Sequence, residues 1–119
     1  MLTKTQVYQL ADQWVQAWNS HDLDEILSHY DEDIVLISPI AANLLNDPAG
    51  MVRGKAALRE YFKKGLTTYP DLKFELIEVM WGLSSLVLHY VNQKGIKAGE
   101  FMEVSLSGRI TKVVANYNV

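Results

Sequence analysis

The stretch Leu86-Val87-Leu88-His89-Tyr90-Val91-Asn92-Gln93-Lys94-Gly95-Ile96-Lys97 decides the fold. An apolar run carrying Val and Tyr stops at a Lys94-Gly95 turn, and a second extended run, Lys97 to Leu106, starts at once. That pattern predicts an antiparallel hairpin. Ser107-Gly108 repeats the device ahead of Ile110 to Asn118. Upstream, Leu72, Phe74 and Leu76 alternate with Lys73 and Glu75, and then the apolar phase switches to Ile77, Val79 and Trp81. A phase switch inside one strand predicts a bulge or a sharp bend. With Gly82 to Ser85 as the intervening turn, the second half reads as a four-stranded antiparallel meander.

The first half reads helical. Val7, Leu10, Ala11, Trp14, Val15 and Trp18 recur at spacings of three and four, which places them on one helical face. Thr3 with Gln6 three residues later predicts a capping box and a helix start near residue 4. Asp22 caps a short second helix with Leu23, Ile26, Leu27 and Tyr30 as its apolar face. Asp31-Glu32-Asp33 reads as a turn, and Ile34 to Ser38 as a short apolar strand stopped by Pro39. Residues 40–53 form a long connection rich in apolar side chains, a length usually reserved for functional or mobile segments. A third helix runs from Gly54 to about Leu66, buried through Leu58, Tyr61, Phe62 and Leu66. Helices followed by strands give an α+β fold: three N-terminal helices packed on one face of a curved, mostly antiparallel sheet.

The chain has 119 residues, 49% apolar and 21% charged, which predicts one globular domain over 1–119. It has no cysteine, so disulfides, thiolate metal sites and a cysteine nucleophile are excluded. A net charge of −3 argues against nucleic acid as a partner. No apolar leader and no span of about 20 apolar residues appear, so no membrane partner is expected and the expected location is cytoplasmic. The three histidines lack the His-Glu-x-x-His spacing of a zinc helix, and no metal is expected. Gly54-Lys55 mimics the end of a phosphate-binding loop, but Ala49 and Ala56 stand where that motif needs Gly and Ser or Thr. Apolar residues occupy both strand faces, Val87 and Val91 on one, Leu86 and Leu88 on the other. Helices cover only one face of such a sheet, so the outer face predicts a homodimer.

The order of three segments carries a resemblance. Asn19-Ser20-His21-Asp22-Leu23-Asp24 with Tyr30-Asp31-Glu32-Asp33, then Arg53-Gly54-Lys55-Ala56-Ala57-Leu58-Arg59-Glu60-Tyr61-Phe62, then Gly108-Arg109-Ile110-Thr111-Lys112-Val113-Val114 resemble the nuclear transport factor 2-like superfamily. The resemblance spans about Thr5 to Asn118 and is closest to the SnoaL-like branch. It implies a single SnoaL-like domain shaped as a cystatin-like cone around an apolar pocket, and often a homodimer. Ketosteroid isomerase, a distant relative, has a catalytic tyrosine where this chain has Trp14, a general-base aspartate where it has Ser38, and a second acid where it has Glu103. Two of three positions depart, so steroid isomerisation by that route is not expected.

Glu103 is the leading catalytic candidate. If its strand face lines the cone, together with Phe101, desolvation raises its pKa above the ~4.3 of a free glutamate and fits it for proton transfer. The other reading is a solvated strand glutamate, like Glu75 or Glu100. Tyr90 shares a face with Leu86, Leu88 and Asn92 and points inward if that face does. His89 then points outward, and one residue of slip exchanges the two. SnoaL resembles this chain in carrying a histidine one strand before its acid, so His89 with Glu103 forms a second candidate pair. Ligand contacts are expected from Trp14, Trp18, Tyr30, Ser38, Phe62, Leu88, Phe101, Asn116 and Asn118. Residues 40–53 are expected at the pocket mouth.

Two functions follow from this reading. One is a cofactor-free isomerase, cyclase or hydratase acting on a small apolar ligand through Glu103. The other is a non-catalytic ligand-binding or association domain with a homodimeric scaffold role.

Overall fold

The computed structural model describes residues 1–119. Ten elements follow in order: α1 Lys4–Ser20, α2 Leu23–Leu27, β1 Tyr30–Ile37, α3 Pro39–Leu44, β2 Met51–Arg53, α4 Lys55–Thr68, β3 Glu75–Trp81, β4 Ser85–Val91, β5 Lys97–Val104 and β6 Ile110–Tyr117. The Thr3–Gln6 capping box opens α1 as expected, and the Asp22 carboxylate accepts from the Glu25 amide to cap α2. His21, with φ +59°, closes α1 in the left-handed conformation.

The class is α+β, with more elements than the sequence pattern predicts. There are four helices, because Ser38 caps a turn of helix with Pro39 at its first position, inside what reads as a loop. Residues 51–53 then form a strand, so the connection is ordered. Asp31-Glu32-Asp33 lies within β1 and is not a turn. This triplet coincides with a register break, since β1 pairs with β6 at Tyr30 and again only from Val35. The Asp31 carboxylate accepts from the Asp33 amide there, a local bond that a sequence pattern reads as a turn.

The sheet is six-stranded in the order β2-β1-β6-β5-β4-β3. All neighbours are antiparallel except β1 with β6. The register of β3 against β4 slips between Leu76 and Glu78, where the phase switch predicts a bulge. Alternation gives the strands one inner face: Leu86, Leu88 and Tyr90 on β4, Ala98, Glu100, Met102 and Val104 on β5, Val113 and Ala115 on β6, all buried. Against it pack Val7, Ala11, Trp14, Ala17 and Trp18 of α1, and Leu58, Tyr61 and Phe62 of α4. No helix is long and apolar enough to cross a membrane.

Candidate functional site

Between the helices and the inner sheet face lies a cavity of about 320 Å³. Its walls are mostly apolar: Trp14 and Trp18 from α1, Leu36 from β1, Ile40 from α3, Tyr61 and Phe62 from α4, Phe74 ahead of β3. The volume is that of a pocket for a small organic molecule. Residues 39, 40 and 43 line it, which puts the start of the 40–53 segment at its edge.

An aromatic stack builds the deep wall. Trp14 stacks on Phe74 at 5.6 Å and 15° between planes, and Phe74 meets Tyr90 at 4.4 Å. Phe74 is fixed from outside the cavity. Its amide donates to Asn19 Oδ1 at 2.7 Å, and Asn19 Nδ2 donates back to its carbonyl at 2.9 Å. His21 Nε2 holds the Leu72 carbonyl at 2.7 Å. The Asn19-Ser20-His21 corner thus clamps the 72–74 segment and helps to shape the cavity.

At the inner end stands a carboxyl. Glu100 is 6% exposed and lines the cavity, and Tyr90 Oη donates to its Oε2 at 2.5 Å. Its Oε1 has no protein partner and keeps access to the cavity. Burial pushes the Glu100 carboxyl up to about 7, partly offset by the Tyr90 hydrogen bond, which favours the ionised form. Burial and the nearby Glu100 raise the Tyr90 and Tyr117 phenols as well, and burial lifts Tyr61 to about 12. These hydroxyls therefore stay protonated and serve as hydrogen-bond donors. Trp18 Nε1 is buried without a partner. No group of three or more His, Asp or Glu side chains is arranged to hold a metal ion.

The SnoaL-like domain family matches residues 11–111. A SnoaL-like protein of unknown function from Burkholderia thailandensis E264 is 36% identical over 98% of both chains, with a TM-score of 0.93. The chain belongs to the SnoaL-like family. The fold also resembles, at 17% identity and a TM-score of 0.80, the epoxide hydrolase/cyclase-like enzyme SalBIII of pyran ring formation in salinomycin, over 100% of this chain and 95% of that one. A cystatin-like protein of unknown function from Methylobium petroleophilum PM1 superposes at 0.79 and 14% identity, over 99% of this chain and 79% of that one. A search of curated proteins returns no match.

Within this SnoaL-like cone, the carboxyl expected inside is the wrong one of two. Glu103 is exposed on the outer face, and Glu100 takes the interior. Glu103 shares a face with Phe101, as the alternation predicts, but that face turns outward and not into the cavity. Ala98, Glu100, Met102 and Val104 form the inward set because Leu88 and Tyr90 pair opposite Glu100 and Ala98. Phe101 is accordingly half-buried on the outer face and does not line the cavity.

Asn116 and Asn118 are also exposed. Asn116 Nδ2 donates to the Gly99 carbonyl, and Asn118 Oδ1 accepts from the Lys97 amide, so both finish the edge of the β5–β6 ladder. Tyr117, between them, faces the cavity. His89 lies half-buried on the outer face opposite Gly99, four positions along from the Ser85–Glu103 pair, so it forms no acid–base couple in the cavity. Leu88 and Tyr30 are sealed in the core and do not line the cavity; Tyr30 Oη accepts from Trp14 Nε1 at 2.9 Å. Trp14, Trp18, Ser38, Phe62 and Tyr90 do line it. A signal for Glu100 was present in the chain: it shares parity with Ala98, Met102 and Val104, the most apolar set on that strand.

Proposed function

We propose that the chain is a cofactor-free enzyme that moves a proton on a small apolar ligand held in the cone, with Glu100 as the acid–base group. The observation that carries this reading is a buried carboxyl, bonded to Tyr90 at 2.5 Å, with its second oxygen open to an aromatic cavity. A carboxyl titrating near 7 holds both forms near neutrality, the condition under which general acid–base transfer is most effective. Ionised Glu100 takes a proton from carbon adjacent to a ligand carbonyl. The C–H electron pair moves into the new C=C bond and the carbonyl π pair onto oxygen. The Tyr61 or Tyr117 hydroxyl, both on the cavity wall, stabilises that oxygen by hydrogen bonding. Protonated Glu100 then returns the proton to another carbon or to oxygen, which completes an isomerisation or starts a cyclisation.

The test is deuterium incorporation from D2O into 3-cyclohexenone, followed by proton NMR. Wild-type protein is expected to accelerate exchange, Glu103→Gln to match it, and Glu100→Gln to lose it. Equal exchange in Glu100→Gln and wild type would overturn the assignment.

A second reading, a homodimeric association module, draws on the outer face. One register row runs Met80, Val87, Phe101, Val114, Ile37, Met51 across all six strands, apolar at every position. Glu103 beside Lys112 flanks one side of the row and Glu78 beside His89 the other. A second copy related by a two-fold axis meets this face with matching apolar and complementary polar groups. Enzyme and dimer are compatible, since the two faces of the sheet are separate.

A further inference from the structure

The cavity is polarised along its length. Glu100, its one acidic lining side chain, is buried at the inner end, and Lys94, its one basic lining side chain, is exposed at the mouth. Lys94 has no carboxylate within 4.0 Å; the ion pairs of the molecule are Lys55–Glu32 and Arg59–Asp24. It is nonetheless held in place. Its Nζ sits 5.1 Å over the Tyr69 ring, and Asn92 Oδ1 accepts from the Lys94 and Ile96 amides, locking the β4–β5 turn. Gly95, at φ +78°, makes that turn possible.

We infer that the site takes a small organic anion: an apolar body, a carbonyl or hydroxyl at the inner end against Glu100, and a carboxylate-like group at the mouth against Lys94. This deepens the proposed function and rests on it. The orientation follows from charge. An anion at the inner end meets a carboxyl and no cation, so it is repelled or forces that carboxyl neutral. At the mouth the same anion gains an ammonium partner without leaving water entirely. Asn43, exposed on the edge of the cavity, adds an amide free of protein hydrogen bonds. A neutral or cationic ligand leaves the Lys94 charge unused or opposes it.

Two fluorescent probes of the same ring framework separate the possibilities: 8-anilinonaphthalene-1-sulfonate, whose sulfonate stands in for the carboxylate, and neutral N-phenyl-1-naphthylamine. Gly65 lines the cavity, and a Cβ built on it meets nothing within 4 Å, so Gly65→Leu fills the space without a clash at its base. Gly65→Leu is expected to abolish cavity binding of both probes. Lys94→Gln is expected to weaken the sulfonate about three- to fivefold, as loss of one part-exposed ion pair does. It should leave the neutral probe within about twofold, and Lys94→Arg should restore the sulfonate. Equal loss of both probes in Lys94→Gln, or no loss of the sulfonate, overturns the anion assignment while cavity binding stands. Probe binding indifferent to Gly65→Leu overturns the reading of the cavity as a ligand site, and this inference with it.

Discussion

Glu100 and Glu103 stand on one strand and on opposite faces of the sheet, the first 6% exposed beneath Tyr90 and the second open to solvent beside Lys112. The same side chain thus meets two environments three residues apart. Glu100 is the buried one of the two, and that position carries the pH behaviour described next.

Stability is expected to depend on pH through Glu100. Its folded pKa, about 7, lies above the ordinary value of 4.5, so the folded state binds more protons between those limits. The Glu100 contribution to stability then falls as pH rises from about 4.5 to about 7 and is level beyond, while His29, whose pKa burial lowers from 6.5, contributes a slope of opposite sign below that value. The size is on the order of 3 kcal/mol, at 1.36 kcal/mol per pH unit. Glu100→Gln removes the Glu100 contribution alone, so relative to wild type it is expected to be more stable at pH 8 but not at pH 4. Urea melts at both pH values read the difference.

Trp14 and Tyr30 give a second expectation. Tyr30 Oη is the acceptor for the buried Trp14 indole N–H. Tyr30→Phe strands that donor in the core and is expected to lower stability by about 1–3 kcal/mol. The same change should leave Glu100 chemistry in place, because Tyr30 does not line the cavity. Chemical denaturation alongside deuterium exchange separates the two effects.

Gly50 is irreplaceable for a backbone reason. At φ +58°, a Cβ there would stand 2.5 Å from the Ser38 carbonyl oxygen, while the Ser38 amide donates to the Gly50 carbonyl. Gly50→Ala is expected to destabilise by more than about 1 kcal/mol and to displace Ser38 from the cavity wall. Gly65→Ala has the opposite sign, because it sits inside α4 with open space around its Cβ. It is expected to gain about 0.5–1 kcal/mol. Thermal melts of the pair test both.

The outer face is expected to hold two copies together. Phe101→Lys places a charge in the centre of the apolar row from Met80 to Met51. Sedimentation equilibrium should give a dimer for wild type and a 13.5 kDa species for the variant. A 13.5 kDa wild-type species at micromolar concentration would sink the dimer.

Much of this fold is legible in the chain because its signals are local. The Thr3–Gln6 box, the Asp22 cap, the Lys94-Gly95 turn and the bulge near Ile77 are each set by a few neighbouring residues. What local pattern does not carry is which face of a strand turns inward. Both faces of β5 offer a glutamate, and the choice depends on β4 and on the helices that meet it. Asn19 and His21 were hidden for the same reason, since they act on Phe74 and Leu72, more than 50 residues away. The helix within 39–44 was masked by Pro39, which stops a strand and also begins a helix.

Direct titration of the Glu100 side-chain carboxyl by carbon-13 NMR, assigned by its disappearance in Glu100→Gln, tests the central claim. A midpoint near 7 is the result expected of a buried carboxyl poised for proton transfer in the cone. A midpoint at or below 4.5 would contradict it, since it would show a carboxyl solvated like a free glutamate and not one desolvated inside the cavity.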